Sequence, residues 1–133
     1  MAPLYRLADL LRYRGHVNNG RRGEDLAHRF LRKRGYIVVA RNWRPPQGGG
    51  EIDLVARQGD TLVFVEVKFR SSGEWSAPER EIDGAKIDAL RRAARDYLRR
   101  AGIEQAEARF DAICITAGAV EHLRDAFALH ASC

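Results

Sequence analysis

The stretch from Gly50 to Lys68 constrains this chain more than any other. It holds two alternating, β-branched runs, Gly50-Glu51-Ile52-Asp53-Leu54-Val55-Ala56 and Leu62-Val63-Phe64-Val65-Glu66-Val67-Lys68, around the polar break Arg57-Gln58-Gly59-Asp60-Thr61. Period-two alternation about a glycine-containing break predicts a β-hairpin. Two turns fit. With Gly59-Asp60 as the loop, Asp53 lies opposite Glu66; with Gln58-Gly59, it lies opposite Phe64. In either register Asp53, Glu66 and Lys68 share a face with Val55, Leu62 and Phe64, and Ile52, Leu54, Ala56, Val63, Val65 and Val67 share the other. A slip of one residue would bury Asp53 among the valines.

Charges set among apolar strand residues are costly unless they serve one another or a metal ion. That cost marks the Asp53–Glu66–Lys68 face as a candidate site.

The flanking sequence supplies layers for this hairpin. Leu4, Leu7, Leu10 and Leu11 predict a short amphipathic helix between Pro3 and Gly15, docking within the protein or its oligomer, and Gly15 to Gly20 reads as a loop. A second helix runs from about Arg21 to Arg34 with Leu26, Ala27, Phe30 and Leu31 as its buried stripe, and Gly35 stops it. Glu24 projects within about 20° of Leu31 on a helical wheel, at the margin of that stripe, where a side chain can reach a cleft. The competing reading is that Glu24 and Asp25 complement the helix dipole in the first turn.

Tyr36 to Ala40 reads as a strand and Arg41 to Gly50 as a loop. Arg70 to Ala77 is a polar loop in which Trp75 either touches substrate or lids the core. A long helix follows, capped at Ser76 with Glu79 or at Asp83. Its inner stripe is Ala85, Ala89, Ala93, Tyr97 and Leu98; Lys86 falls early in it, its arginines face solvent, and Gly102 ends it. Arg109 to Thr116 forms a strand with Phe110, Ala112 and Cys114 on one side and Asp111, Ile113 and Ile115 on the other. Val120 to Leu129 reads as a strand followed by a helical turn. The order α, α, β, β, β, α, β predicts an α/β sandwich, a mixed sheet with helices on each side.

At 133 residues the chain suits a single domain that needs no disulfide staples. Cys114 and Cys133 lack metal-finger spacing, and no run is apolar enough for a membrane span or a signal peptide, so a reduced, cytoplasmic setting is expected. Residues 1–44 hold 11 Lys and Arg against 3 Asp and Glu, whereas the rest holds 12 against 15. A basic half of this kind favours a polyanion if it borders the functional face.

Carboxylates on neighbouring strands, a third on a helix margin and a lysine on the same face suit a hard cation such as Mg²⁺, which takes carboxylate oxygens and a substrate phosphate. Phosphodiester cleavage needs an activated water and charge neutralisation at the phosphorus. Asp53 and Glu66 would hold the ion, Glu24 would complete its site, and Lys68 would orient the water and offset phosphate charge. Glu-x-Lys alone is common on solvated strands, so the combination carries the weight. Ser71, Ser72, His16, His28, His122 and His130 show no triad context. Gly48-Gly49-Gly50 lacks the lysine of a phosphate loop and reads as slack before the strand. Asp111 could join the acidic face, but its context favours capping or pairing with an arginine.

The ordered set Glu24, Gly-Glu-Ile-Asp-Leu (50–54) and Phe-Val-Glu-Val-Lys (64–68) resembles the PD-(D/E)xK nuclease superfamily. Within it the chain closely resembles the YraN family, relatives of archaeal Holliday-junction resolvases, over roughly residues 20–130. Gly23-Glu24, Asn42, Arg70, Lys86, Arg109-Phe110-Asp111 and Ala126-Phe127 also sit where that pattern places them. The resemblance implies a restriction-endonuclease-like α-β-β-β-α-β core over residues 20–133, preceded by the helix and loop of residues 1–19. It implies Asp53, Glu66 and Lys68 as the catalytic motif, with Glu24 as the additional acid. Ile52 stands where the motif has proline.

The function expected is a Mg²⁺- or Mn²⁺-dependent endonuclease hydrolysing DNA, branched or otherwise structured. Asp53, Glu66 and Glu24 would bind the metal, and Lys86 and Arg70 the substrate. A two-fold homodimer would present paired sites to a branched substrate. The alternative is a nucleic-acid-binding module with a nuclease fold and no hydrolysis. A third reading is an interaction protein whose acids merely pair with Lys68.

Overall fold

The computed structural model describes residues 19–69, 84–116 and 119–127, with side chains from residue 23 onward. Helix α1 spans Asn19–Lys33, strands β1, β2 and β3 span Ile37–Trp43, Ile52–Gln58 and Thr61–Phe69, and helix α2 spans Gly84–Arg100. Strands β4 and β5 span Glu107–Thr116 and Ala119–Phe127. The expected helix at residues 3–14, Trp75, Arg70 and both candidate caps of the long helix, Ser76 and Asp83, lie outside the described residues.

The strands form one mixed sheet in the order β1-β2-β3-β4-β5. Neighbours are antiparallel except β3 and β4. A parallel pair needs a crossover too long for a hairpin, and here the segment containing α2 provides it. The architecture is the expected α/β layering around a nuclease-like core, with a fifth strand added.

The hairpin register is decided by its turn. Gln58 pairs with Thr61, so Gly59-Asp60 is the loop, and Gly59 takes the positive φ of 59° that a side chain would resist. Pairing runs back to Leu54 opposite Val65. Asp53 and Glu66 are the residues just beyond that last pair.

Both faces of the central strands are covered, which explains why they are apolar on both sides. Leu26, Ala27, Phe30 and Leu31 of α1 pack on Leu54, Ala56, Val63, Val65, Ile113 and Ile115. On the opposite face Leu90, Ala93, Ala94 and Leu98 of α2 pack on Val55, Leu62, Phe64 and Phe110. Tyr97 meets Phe64 and Trp43 edge-on, with ring centroids 5.8 and 5.3 Å away.

Both helices end alike. Gly35 (φ 90°) and Gly102 (φ 73°) follow the last turns, while Tyr36 N donates to Leu31 O and Ile103 N to Leu98 O. These are glycine-dependent Schellman closures.

Four expectations are corrected. Strand β1 runs on to Trp43, because Arg41 and Trp43 pair with Leu54 and Ile52. Ile52 packs on the α2 side and not with Leu54; it lies beyond the β2–β3 ladder and pairs with Trp43, which packs on that side too. Ala85 is exposed, and the buried stripe of α2 is Leu90, Ala93, Ala94 and Leu98. The last element stays extended to Phe127 with no helical turn before it, since pairing with β4 satisfies its backbone.

Candidate active site

The site gathers at the end of the sheet where β2 leaves β3. Beyond Leu54 and Val65 the strand pairing stops, and the Val67 amide donates instead to Asp53 Oδ2 at 2.8 Å. Asp53 therefore takes over a bond that the ladder would otherwise supply, which ties its carboxylate to the strand carrying Glu66.

Glu66 is buried, 3 % exposed, although it is charged. Its Oε2 accepts from the Lys86 ammonium at 2.7 Å and lies 3.9 Å from Lys68 Nζ. Its Oε1 is buried with no hydrogen-bond partner among the described residues. An unsatisfied buried carboxylate oxygen costs free energy, which the Lys86 and Lys68 charges offset only through the other oxygen.

Asp53 reports the same crowding. Burial and then the Glu66 charge raise its carboxyl to about 8, against the lowering effect of the Val67 amide, and the Glu24 charge adds a further upward push. The three acids thus feel one another across β2, β3 and α1. Burial draws the Lys86 ammonium down, but the Glu66 hydrogen bond and charge outweigh it, and its pKa stands above the ordinary lysine value.

Glu24 is positioned from α1. The helix already begins at Asn19 and has no acid in its first turn, so complementation of the dipole there does not explain Glu24 or Asp25. Gly23 brings the helix close to β3: a Cβ there would stand 3.4 Å from Phe69 and 3.5 Å from Val67. Asn42 Nδ2 donates to Glu24 Oε2 at 3.0 Å, and the Arg41 guanidinium lies 3.8 Å from Oε1 while pairing with Asp25 at 2.7 Å. The side chain is only 14 % exposed. Asn42 sits at φ 51°, a left-handed conformation that asparagine tolerates better than most residues.

The residue types fit a hard divalent ion: acid oxygens, one of them orphaned, and a carboxyl that a nearby positive charge would return to its ionised form. Mg²⁺ needs only one or two protein carboxylates when water and phosphate fill the remaining positions. Asp53 and Glu66 match that requirement. Among the described residues no group of three or more His, Cys, Asp or Glu stands ready to hold an ion; Lys86 occupies one oxygen of Glu66 and Asn42 one of Glu24.

Lys86 was expected to face substrate, and instead it reaches from α2 onto Glu66. Its early place on the helix was readable from the sequence, whereas its partner was not. Arg41 escaped the sequence reading entirely. Its only signal was a position next to Asn42 in an alternating run.

A second polar cluster lies on the α1 side of β4. Asp111, fully buried, accepts from Arg109 Nε at 2.9 Å, Arg109 Nη2 at 3.2 Å and the Asp125 amide at 2.9 Å, and its Oδ2 lies 2.8 Å from His122 Nε2. Burial would raise its carboxyl, but the bonds from His122, Arg109 and Asp125 prevail and hold it below the usual range. Arg109 also donates to the Tyr36 hydroxyl. Asp111 is an arginine partner, as its sequence context predicts. It clamps the bulge at Asp125, whose φ is 56°.

No helix among the described residues is long and apolar enough to cross a membrane. A family model described as "Uncharacterised protein family UPF0102" matches residues 23–115. A UPF0102 protein of Solibacter usitatus is 53 % identical over 128 residues, covering 93 % of this chain and 97 % of its own length. One from Koribacter versatilis is 44 % identical over 100 residues, covering 75 % and 69 %. One from Desulfosudis oleivorans is 44 % identical over 110 residues, covering 81 % and 88 %.

Proposed function

The chain belongs to the UPF0102 family, and from that premise and the geometry of its site we propose a metal-dependent endonuclease that hydrolyses phosphodiester bonds in DNA, branched or otherwise structured. One observation carries the reading. Glu66 is buried beside Asp53 with Oε1 unpartnered among the described residues, an arrangement that costs free energy and that a cation held by these two residues would offset.

Mg²⁺ or Mn²⁺, when bound, supplies positive charge at the phosphate and a more acidic water. Asp53 and Glu66 are the residues that would hold it. Glu24, held by Asn42 and Arg41, would complete the metal site, directly or through water. Lys68, close to Glu66 and 24 % exposed, is placed to orient the attacking water and to face a phosphate oxygen. Arg70 follows β3 directly in sequence and is assigned to the substrate, whereas Lys86 pairs with Glu66. A dimer related by two-fold symmetry would present two such sites to a branched substrate.

The test is cleavage of duplex, single-stranded, flap and four-way-junction DNA with and without Mg²⁺ or Mn²⁺. Metal-dependent cutting lost in both Asp53→Asn and Glu66→Gln supports the proposal; equal residual cutting by the two variants and the wild type overturns it.

A second reading, a nucleic-acid-binding module without hydrolysis, is favoured by the Lys86–Glu66 contact, because an ammonium at 2.7 Å already gives Glu66 a positive partner. It predicts salt-sensitive binding that neither Mg²⁺ nor carboxylate replacement alters.

A further inference from the structure

The Gly48-Gly49-Gly50 run, read from sequence as slack, forms one wall of a cavity of about 320 Å³. Arg92, Arg95 and Arg99 of α2 stand opposite, with Gln47, Asp96 and Pro45 completing the lining. The three arginines recur at i, i+3 and i+7, one stripe of a helix.

The charge balance there is positive. Asp96 is the one acid in the lining, buried and paired with both Arg99 and Arg100. Arg100 also donates to Gln47 Oε1 at 3.1 Å, which ties the loop to the helix. Arg92 and Arg95 are exposed and make no ion pair or hydrogen bond with other described residues. Guanidiniums turned toward a cavity and left without carboxylates suit phosphate oxygens, which they bind in a planar fork.

The loop is shaped for close approach. Gly48 and Gly49 take φ of 93° and 116°, which only glycine adopts without strain, and a Cβ on either would meet nothing within 4 Å. Gly48 N is used by Pro45 O, while the Gly49 and Gly50 amides bond no other described residue. Successive free amides in such a turn form an anion-binding concavity. The position is informative as well. Gly50 touches Ala89, one turn after Lys86, and leads through Glu51 and Ile52 to Asp53.

We infer that the cavity between Gly48–Gly50 and Arg92, Arg95 and Arg99 is a subsite for the sugar-phosphate backbone of DNA, seating phosphates that flank the one held at Asp53 and Glu66. It rests on the nucleic-acid reading above and adds the residues that grip the strand away from the carboxylates. It carries no sequence information, because phosphate contacts position a strand and do not read it.

The experiment measures binding of a fluorescently labelled short DNA duplex, in EDTA, across a salt series. The proteins are the wild type, the double variant Arg92→Gln/Arg95→Gln, and the control Arg32→Gln/Arg57→Gln, which removes the same charge from exposed sites elsewhere. The cavity variant is expected to bind about tenfold more weakly for every sequence tried, with the salt slope reduced by about 2. The control should keep the wild-type slope. Inorganic phosphate competing as well as the duplex at equal phosphate concentration would assign the cavity to free anions and overturn the proposal. Equal slopes in the two double variants, or no measurable binding by the wild type, also overturn it. Cleavage is scored separately with Mg²⁺: a chain that binds in this pattern but never cuts removes the nuclease reading and leaves the subsite standing.

Discussion

The Lys86 ammonium lies 2.7 Å from one oxygen of Glu66, while the other oxygen of the same carboxylate is buried without a hydrogen-bond partner among the described residues. On the proposed function, a divalent ion would compete with Lys86 for Glu66. Lys86→Met is expected to lower the melting temperature of the metal-free protein, since Glu66 loses its nearest cation, and to enlarge the gain on adding Mn²⁺ several-fold. Melting curves at a series of Mn²⁺ concentrations measure both effects. Identical Mn²⁺ responses in variant and wild type would separate Lys86 from the metal site.

Asp53 sets a pH dependence in the metal-free protein. Its folded pKa of about 8 stands above the ordinary value of 3.8, so the protonated form favours folding. The contribution is complete below 3.8 and is lost as pH rises through about 8. Urea midpoints in EDTA should accordingly fall across that window in the wild type more than in Asp53→Asn. Mn²⁺ displaces the proton, so its affinity should rise over the same range and level off above it. Parallel midpoint curves for the two proteins would contradict the assignment.

The Asp111 cluster is expected to govern stability alone. Asp111→Ala leaves Arg109 and His122 facing an empty buried position and should cost about 3–5 kcal/mol in urea unfolding. Mn²⁺ affinity should be unchanged. The sign with pH is opposite to that of Asp53: the depressed Asp111 carboxyl stabilises the fold above its unfolded value of 3.8, and that support is lost as pH falls through the folded pKa. Unfolding measured down the acid limb should be steeper in the wild type than in Asp111→Asn.

Gly50 is a packing requirement. A Cβ there would stand 3.0 Å from the carbonyl carbon and oxygen of Ala89, which are backbone atoms and cannot rotate aside. Gly50→Ala should cost about 1–3 kcal/mol by forcing the loop from α2. Gly84→Ala serves as the comparison, because a Cβ at Gly84 meets nothing within 4 Å. Equal stability of the two variants would remove the close approach from the account.

Alternation alone made the hairpin legible, and with it the shared placement of Asp53, Glu66 and Lys68, because a strand's side chains must alternate wherever a sheet has two packed faces. The α1 stripe, the glycine stops at Gly35 and Gly102 and the pairing of Asp111 with arginine were equally local. Other features depend on residues distant in sequence. The turn of the hairpin was a local choice that alternation left open, but β5 ran extended because β4 offered it a free edge. Ile52 changed side because its neighbour in space is Trp43. Lys86 met Glu66, and three arginines met three glycines, only because α2 folds back across the sheet. Short-range periodicity decides what each segment can become; contacts between segments decide which charges are buried together, and that burial, with the Glu66 charge, is what raises Asp53.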